Sequence, residues 1–193
     1  MSRPYRLGKR AVTVGETRRR ILEGAADAYT ERGVRATSMQ EVARRAEVAP
    51  ATVLNHFADP DQLVEAVVAH ITDELAVPGP VIFDGIEATA LRVRALLSAV
   101  YAFYERSERF VAMFFRERAH VPALRAGEAA VRSAIGDLVS IALDERADDR
   151  ELERIVSSAL DPAFRAALIQ AGHTPDEAIR RAGDLVVAWM SWR

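Results

Sequence analysis

The chain has 193 residues, of which 50% are hydrophobic and 28% charged, with a formal net charge of −2. This composition is typical of a globular protein, and no apolar run approaches the roughly 18 residues that a membrane helix needs, so we expect no spanning segment. The lack of cysteine excludes disulfides, thiolate metal sites and cysteine nucleophiles. The basic, polar N-terminus does not resemble a secretion signal, and we expect a cytoplasmic protein.

The charges are divided unevenly along the chain. Residues 1–57 carry 11 basic and 6 acidic side chains, whereas residues 58–193 carry 15 basic and 22 acidic ones. A basic head on an acidic body indicates a polyanionic partner for the head. The alternative from charge alone is a chance pattern on a solvated surface.

Residues 1–15 are expected to form a flexible basic arm, since seven basic residues lie between Arg3 and Arg20. This arm either follows a DNA backbone or minor groove or is simply a solvated tail. Apolar residues then recur at helical spacing from about residue 16 to residue 32. Gly33 follows as the expected left-handed cap of this first helix.

A short second helix is expected at about residues 39–46, opened by Ser38 with Glu41 three residues later. After a tight turn, Pro50 begins a third helix at about 50–56. Two short helices joined in this way, with an earlier helix across them, predict a helix-turn-helix. Small side chains at Ala43 and Ala46 would let the helices approach closely.

Asp59 is expected to cap a fourth helix that has Pro60 in its first turn. The segment from Pro78 to Pro80 is the clearest break after the head. Beyond it, helical periodicity predicts five further helices, the fourth of them kinked or divided at Pro162. Their expected ranges are 86–106, 108–119, 122–146, 151–172 and 175–192. The predicted fold class is all-α, with a three-helix helix-turn-helix domain at 16–61 and a larger helical ligand-binding and dimerisation domain at 62–193.

The head resembles the N-terminal domain of TetR-family transcriptional regulators. The resemblance covers about residues 16–68 and rests on a series of spaced positions. These positions are Thr17 to Ala26, Gly33, Ala36 to Ala43, Ala46 to Val48, Thr52, His56, Phe57 and Leu63. A softer match to a C-terminal segment of the family lies at Leu160 to Arg165, Ala171, Gly172, Glu177, Ala178 and Trp189.

This resemblance implies a homodimer that places two recognition helices in adjacent major grooves of a double-stranded operator. Contacts to the phosphate backbone or its edge are implied for Thr37, Thr52 and His56. Arg44 and Arg45 are phosphate candidates, and Asn55 would pair with a base edge. The candidate DNA-binding residues are Arg18, Arg19, Thr37, Ser38, Arg44, Arg45, Pro50, Ala51, Thr52, Asn55 and His56.

The chain departs from the family pattern at several positions of the head. Glu47 replaces the usual turn glycine, so it must adopt a positive φ or the turn must differ. Ala49 and Pro50 replace a Ser-Lys pair, Leu54 stands where an aromatic residue is common, and Pro60 replaces a lysine. Weaker or more arm-dependent DNA binding is therefore expected.

Six of the chain's aromatic residues fall between 101 and 115. They predict either an ordinary core or, as the resemblance implies, a pocket for a mainly apolar small molecule. The candidate ligand-binding residues are Leu97, Tyr101, Tyr104, Phe110, Met113, Phe114 and Arg116.

The last two helices carry apolar faces that would either pair with a second subunit or pack only inward. The candidate dimer-interface residues are Leu160, Phe164, Leu168, Ile179, Leu185, Val186 and Trp189.

No enzymatic motif is recognised, and no cofactor or metal is expected. His70, His120 and His173 are taken as isolated, without partners at metal-ligand spacing. The leading hypothesis is a repressor that a small-molecule ligand releases from a palindromic operator. A helical dimer that acts through protein contacts, with a head that no longer reads DNA, is the second hypothesis, and a helical enzyme is the third.

Overall fold

The structure is a computed structural model that describes the backbone of residues 5–192 and the side chains of residues 14–192. Over this range the chain forms ten α-helices joined by short turns, and no strand is found there, as the sequence predicts. The helices are α1 (Tyr5–Arg32), α2 (Met39–Arg45), α3 (Pro50–His56), α4 (Pro60–Glu74), α5 (Thr89–Arg106), α6 (Glu108–Glu117), α7 (Pro122–Leu143), α8 (Arg150–Ala159), α9 (Pro162–Gln170) and α10 (Pro175–Ser191). Two 3-10 turns lie at Pro80–Phe83 and Asp144–Arg146.

Helix α1 begins at Tyr5, well before the start expected at residue 16. The segment expected to be a flexible arm is therefore helical over residues 5–15, and residues 1–4 lie outside the described range. The segment from Tyr5 to Gly15 contains no proline, and a glycine within a helix costs only about 1 kcal/mol relative to alanine. Nothing in this segment therefore forces the helix to start later.

The helices divide into two compact units. The head unit contains the described part of Met1–Glu74 together with Arg109–Glu128, and the body unit contains Leu75–Glu108 with Ala129 onward. The head unit thus includes α4, α6 and the first part of α7. The functional boundary expected after residue 61 remains a prediction, because compactness does not decide which residues bind DNA or ligand.

The core of the head unit is the apolar stripe expected on α1. Ile21, Ala25 and Tyr29 are buried, and α2 and α4 pack against this helix. Leu63 and Val67 on α4 are also fully buried. Burial of one such aliphatic side chain stabilises the fold by roughly 1.5–3 kcal/mol. The buried stripe on α1 therefore contributes strongly to the packing of α2 and α4 against this helix.

The segment Arg109–Glu128 belongs to the head unit although it lies far along the chain from the rest of that unit. Arg109 on α6 forms an ion pair with Asp27 on α1 at 3.1 Å. Gly33 has a φ of +93°, which confirms its expected left-handed conformation, and a Cβ there would lie 2.5 Å from the Glu117 carboxylate. The left-handed backbone favours glycine at this position, and a side chain there would also have to displace the Glu117 carboxylate.

The core of the body unit is formed by α5, α7, α8 and α10. Its fully buried side chains include Val93, Leu96, Leu97, Val100, Tyr101, Leu143, Leu152, Val156 and Val186. The segment expected as one helix at 151–172 is two helices divided at Pro162, where the Asp161 side chain accepts from the Ala163 amide at 2.7 Å. The proline ring cannot continue α8, which confirms the expected break. None of the helices within residues 5–192 has the length and apolar character required to cross a membrane.

Candidate nucleic-acid interface

The turn between α2 and α3 is short and fixed by backbone hydrogen bonds. The Val48 amide donates to the Ala43 carbonyl at 3.0 Å, and the Ala46 amide donates to the Val42 carbonyl at 2.9 Å. Glu47, between them, has a φ of +52°, so the residue that replaces the family's glycine does adopt the left-handed conformation. This conformation costs a side-chain-bearing residue roughly 1–2 kcal/mol.

Arg20 on α1 stabilises this turn. Its Nε and Nη2 donate to the Ala46 carbonyl at 3.1 and 2.6 Å, and Nη2 also donates to the Glu47 carbonyl at 2.9 Å. Charged donors at the C-terminal end of α2 satisfy carbonyls that the helix itself leaves free. The sequence analysis had counted Arg20 only among the basic residues of the arm, and one sequence alone does not indicate this role.

Close approach of α1 to α2 depends on small residues. Gly24 is in contact with α2, where a Cβ would lie 3.1 Å from the Ala46 nitrogen and 3.2 Å from the Arg45 Cβ. Ala43 and Ala46 are buried, as their size led us to expect. The sequence analysis missed Gly24, since an isolated glycine inside a helical pattern does not reveal what it faces.

Helix α3 divides into a buried and an exposed face. Val53 is fully buried, and Phe57, directly after the helix, is also buried, so both anchor α3 to the head unit. Pro50, Ala51 and Asn55 are exposed, while Thr52 and His56 are half-buried. The expected reading residues therefore share one accessible surface.

Leu54 is 52% exposed on α3. The sequence analysis treated it only as a departure from an aromatic residue. An exposed aliphatic side chain on a helix that enters the major groove can contact the methyl group of thymine. Leu54 therefore joins the candidate residues on structural grounds.

The basic candidates Arg44 and Arg45 differ in solvent exposure and in the ion pairs that they form. Arg44 forms two hydrogen bonds to Glu41 at 2.7 and 2.9 Å, yet its side chain remains 66% exposed. Arg45 is 16% exposed, donates to Glu41 at 2.9 Å and also pairs with Glu31 on α1. The expected phosphate role of Arg45 is thus not supported by this geometry, because its guanidinium links α1 to α2.

The hydrogen bonds from Arg44 and Arg45 also lower the pKa values of their carboxylate partners. Hydrogen bonds from Arg44 and Arg45 lower the pKa of Glu41 from 4.5 to about 2. The hydrogen bond from Arg45 likewise lowers the pKa of Glu31. Glu41 was expected to complete a capping box with Ser38, but only the Ser38 half forms, with the Glu41 amide donating to Oγ at 3.2 Å.

Each of the remaining candidates of the head contacts a neighbouring residue. The guanidinium of Arg18 lies 5.1 Å from the centre of the Phe57 ring, a cation–π contact that orients an exposed arginine beside α3. Arg19 is exposed and pairs with Glu23 on its own helix. The Thr37 hydroxyl donates to the Gly33 carbonyl at 2.8 Å, and Ser38 caps α2, so both hydroxyls also have structural roles.

The candidate ligand residues fall into two groups. Leu97, Tyr101 and Tyr104 lie in the body unit, whereas Phe110, Met113, Phe114 and Arg116 lie in the head unit. The seven residues therefore do not form one cluster within either unit.

The two tyrosines have backbone partners. The Tyr101 hydroxyl donates to the Ala159 carbonyl at 2.8 Å, and that of Tyr104 donates to the Leu160 carbonyl at 2.9 Å. Burial raises the pKa of Tyr101 to about 12, so its hydroxyl remains a neutral donor. For Leu97 and Tyr101 the structure supports the core interpretation that the sequence left open.

The candidate dimer residues also differ in accessibility. Leu160 and Val186 are 2% and 1% exposed and belong to the core of the body unit, so they are unavailable to a second subunit. Phe164, Leu168, Ile179 and Trp189 are half-buried against that core. Leu185 is 59% exposed, and Trp192, which the sequence analysis did not select, is 88% exposed.

Comparison with known proteins agrees with this geometry. Residues 21–67 match the family model described as "Bacterial regulatory proteins, tetR family". The chain is 44% identical over 55 residues to HTH-type transcriptional repressor Rv3405c of Mycobacterium tuberculosis, a match that covers 28% of this chain and 29% of that protein. It is 27% identical over 114 residues to HTH-type transcriptional repressor KstR2 of Rhodococcus jostii, covering 58% of this chain and 55% of that one. The matched region thus spans between about a third and about half of these curated relatives.

Solved structures share this fold over most of the chain. A transcriptional regulator from Rhodococcus sp. RHA1 has a TM-score of 0.61 at 22% identity, covering 89% of this chain and 94% of that chain. The TetR-family regulator PfmR from Thermus thermophilus has a TM-score of 0.61 at 20% identity, covering 86% and 96%. At this identity the likeness shows the fold alone, while the sequence match to the family model is confined to residues 21–67.

Proposed function

We propose that this chain, whose residues 21–67 form a DNA-binding domain of the TetR family, is a dimeric transcriptional regulator that binds a palindromic operator through α3. The comparisons point to regulators rather than to an enzyme family. A regulator of this kind acts in the cytoplasm, on chromosomal DNA.

The observation that carries the proposal is the exposed surface of α3. Ala51, Leu54 and Asn55 are exposed on a helix that Val53 and Phe57 anchor from the opposite side. Asn55 provides both a donor and an acceptor, the combination that pairs with the adenine edge, and Leu54 provides an apolar contact. Arg18 and Arg44 provide exposed positive charge for phosphates.

We propose a homodimer formed through α9 and α10. A helix-turn-helix dimer contacts two half-sites about one DNA turn apart, roughly 34–36 Å. Leu185 and Trp192 support this choice of surface, because large exposed apolar side chains are typical of protein interfaces.

We further propose that the protein is a repressor and that a small, mainly apolar molecule releases it from DNA. Phe114 is half-buried and Phe115 is 49% exposed on α6. Part of the aromatic surface of these two side chains is therefore accessible to a ligand. A ligand can shift the dimer between two states only if it binds one of them more tightly. The test is a loss of operator affinity on titration with candidate hydrophobic ligands.

The first experiment is fluorescence anisotropy on the DNA upstream of the gene, with scrambled DNA of equal length as the competitor. Asn55→Ala should weaken specific binding by roughly 1–3 kcal/mol while leaving non-specific binding unchanged, because it removes a contact to a base edge. Thr52→Ala, at a position expected to touch phosphate, should weaken binding to both DNAs. Ser98→Ala, which removes an exposed hydroxyl from α5, is the matched control and should bind as the unmodified protein does. Equal binding to both DNAs, abolished by modest salt, would refute sequence reading and favour a protein that acts through protein contacts.

A further inference from the structure

Three potential metal ligands meet in the head unit. Glu23 on α1 and His70 and Glu74 on α4 each offer a ligand atom, and these atoms all lie within 4.8 Å of one another. His70 was taken as isolated, with no partner at metal-ligand spacing, yet Glu74 follows it by one helical turn on α4. The packing of α4 on α1 adds Glu23, which no local spacing indicates.

The imidazole of His70 has an unsatisfied nitrogen. Nε2 is buried and has no hydrogen-bond partner within the described part of the chain. The nearest carboxylate oxygen, Oε1 of Glu74, lies 3.4 Å away without completing a hydrogen bond. A buried polar atom left without a partner costs roughly 1–3 kcal/mol, and a metal ion bound to this nitrogen would remove that cost.

The charges of the cluster also fit a divalent cation. Two carboxylates this close repel each other, and a bound ion of charge +2 would balance both. Glu23 also pairs with Arg19, but a carboxylate has two oxygens and can accept from arginine with one while the other binds metal. Arg19 would then orient Glu23 as a neighbour of the ligand.

The types of ligand select the class of ion. One imidazole with two carboxylates suits a first-row transition metal better than Mg²⁺ or Ca²⁺, which prefer oxygen ligands alone. Zinc sites with three protein ligands of this kind commonly leave a fourth position for water. Zn²⁺ is therefore the ion to test first, with Mg²⁺ as the comparison.

We propose that Glu23, His70 and Glu74 bind one divalent transition-metal ion, such as Zn²⁺, and so connect α1 to α4. Helix α1 carries Arg20, which stabilises the turn between α2 and α3, and α4 directly follows α3. Metal binding would stabilise the head unit, because ligands on two separate helices come together only in the folded chain. The proposal rests on these contacts and stands whether or not the protein proves to be a regulator.

The test is calorimetric titration of the tag-free, chelator-treated full chain with ZnCl₂, with MgCl₂ in a parallel titration. We expect one Zn²⁺ per chain and no comparable binding of Mg²⁺. His70→Asn and Glu23→Gln should each weaken Zn²⁺ binding by at least about tenfold. The matched controls are His120→Asn, at an exposed histidine, and Glu65→Gln, at an exposed glutamate of α4, and both should leave binding unchanged.

Two further readouts distinguish this site from surface binding. Co²⁺ in place of Zn²⁺ should give visible absorption that His70→Asn removes and His120→Asn retains. The thermal unfolding temperature should rise with Zn²⁺ and fall again with EDTA, except in Glu23→Gln and His70→Asn. Absence of stoichiometric Zn²⁺ binding, or binding that His120→Asn weakens as much as His70→Asn does, would overturn the proposal.

Discussion

Arg20 and Glu47 are joined across the head by a hydrogen bond of 2.9 Å from the guanidinium Nη2 of the first to the main-chain oxygen of the second. Glu47 is the residue with φ +52° in the turn before α3. The chain therefore replaces the glycine that such a turn favours, yet it supports the resulting backbone from α1.

Arg20→Ala should destabilise the protein by roughly 1–2 kcal/mol, because charged hydrogen bonds to the Ala46 and Glu47 carbonyls are lost. Urea unfolding measures the change. Arg35→Ala, which removes an exposed arginine from the loop after α1, should change the free energy of unfolding by less than about 0.5 kcal/mol. Equal effects of the two variants would show that the Arg20 contacts contribute nothing.

Glu47→Gly should stabilise the protein by about 0.5–1 kcal/mol. Relief of the left-handed strain, worth roughly 1–2 kcal/mol, exceeds the extra entropy that glycine gives the unfolded chain. Glu47→Ala retains the strain and serves as the control, with little expected change. Thermal or urea unfolding of the three proteins tests this order, and a destabilised Glu47→Gly would contradict it.

Leu54→Ala should weaken operator binding without altering its dependence on salt, because it removes an apolar contact to a base and no charge. Arg44→Ala should instead weaken binding to all DNAs and reduce the slope of log affinity against log salt by about one phosphate contact. Anisotropy at several salt concentrations separates the two effects. Since Leu54 is 52% exposed, its replacement should leave the unfolding midpoint nearly unchanged.

Stability should fall as the pH drops from about 4.5 toward 2, in part through Glu41. Its pKa is lowered to about 2 in the folded chain, so its contribution is complete above its ordinary pKa of 4.5 and is lost as the carboxylate is protonated near pH 2. Glu41→Gln should flatten this part of the profile while lowering stability at neutral pH. Unfolding measured at several pH values checks this, and an unchanged slope in Glu41→Gln would contradict it.

Leu185→Glu should change the oligomeric state, whereas Leu160→Ala should change the free energy of unfolding. The first adds charge to an exposed side chain and should convert the proposed dimer to monomers that remain folded. The second removes buried volume and should cost about 2–5 kcal/mol of stability without directly affecting the subunit contact. Light scattering and urea unfolding distinguish them, and a dimeric, folded Leu185→Glu would place the interface elsewhere.

Local signals in the sequence were sufficient for most of the helices. Capping residues and prolines act within one or two turns, so the starts of α2 after Ser38, of α3 at Pro50 and of α9 at Pro162 were predictable. The long α1 was not, because the residues before Gly15 carry no strong signal for either helix or coil.

The candidate site was harder to predict wherever a residue acts through a distant partner. Arg45 looked like a phosphate ligand because it is basic, but its guanidinium is held by Glu31, and that pairing depends on how α2 packs on α1. Val186 and Leu185 are neighbours with opposite exposure, and periodicity alone did not decide which of them faces the core. Such questions require the orientation of each helix, which the pattern of one sequence leaves undetermined.

The head unit is discontinuous in the chain, because residues 109–128 complete it after an interval that belongs to the body unit. A fragment that ends at residue 74 would lose the Arg109–Asp27 ion pair and the Glu117 carboxylate beside Gly33. Such a fragment should therefore be less stable than the same residues in the full chain. A chimera that transplants only the first 74 residues onto another body would inherit the reading helix without part of its support, so exchanging DNA specificity between such proteins requires moving two separate segments together.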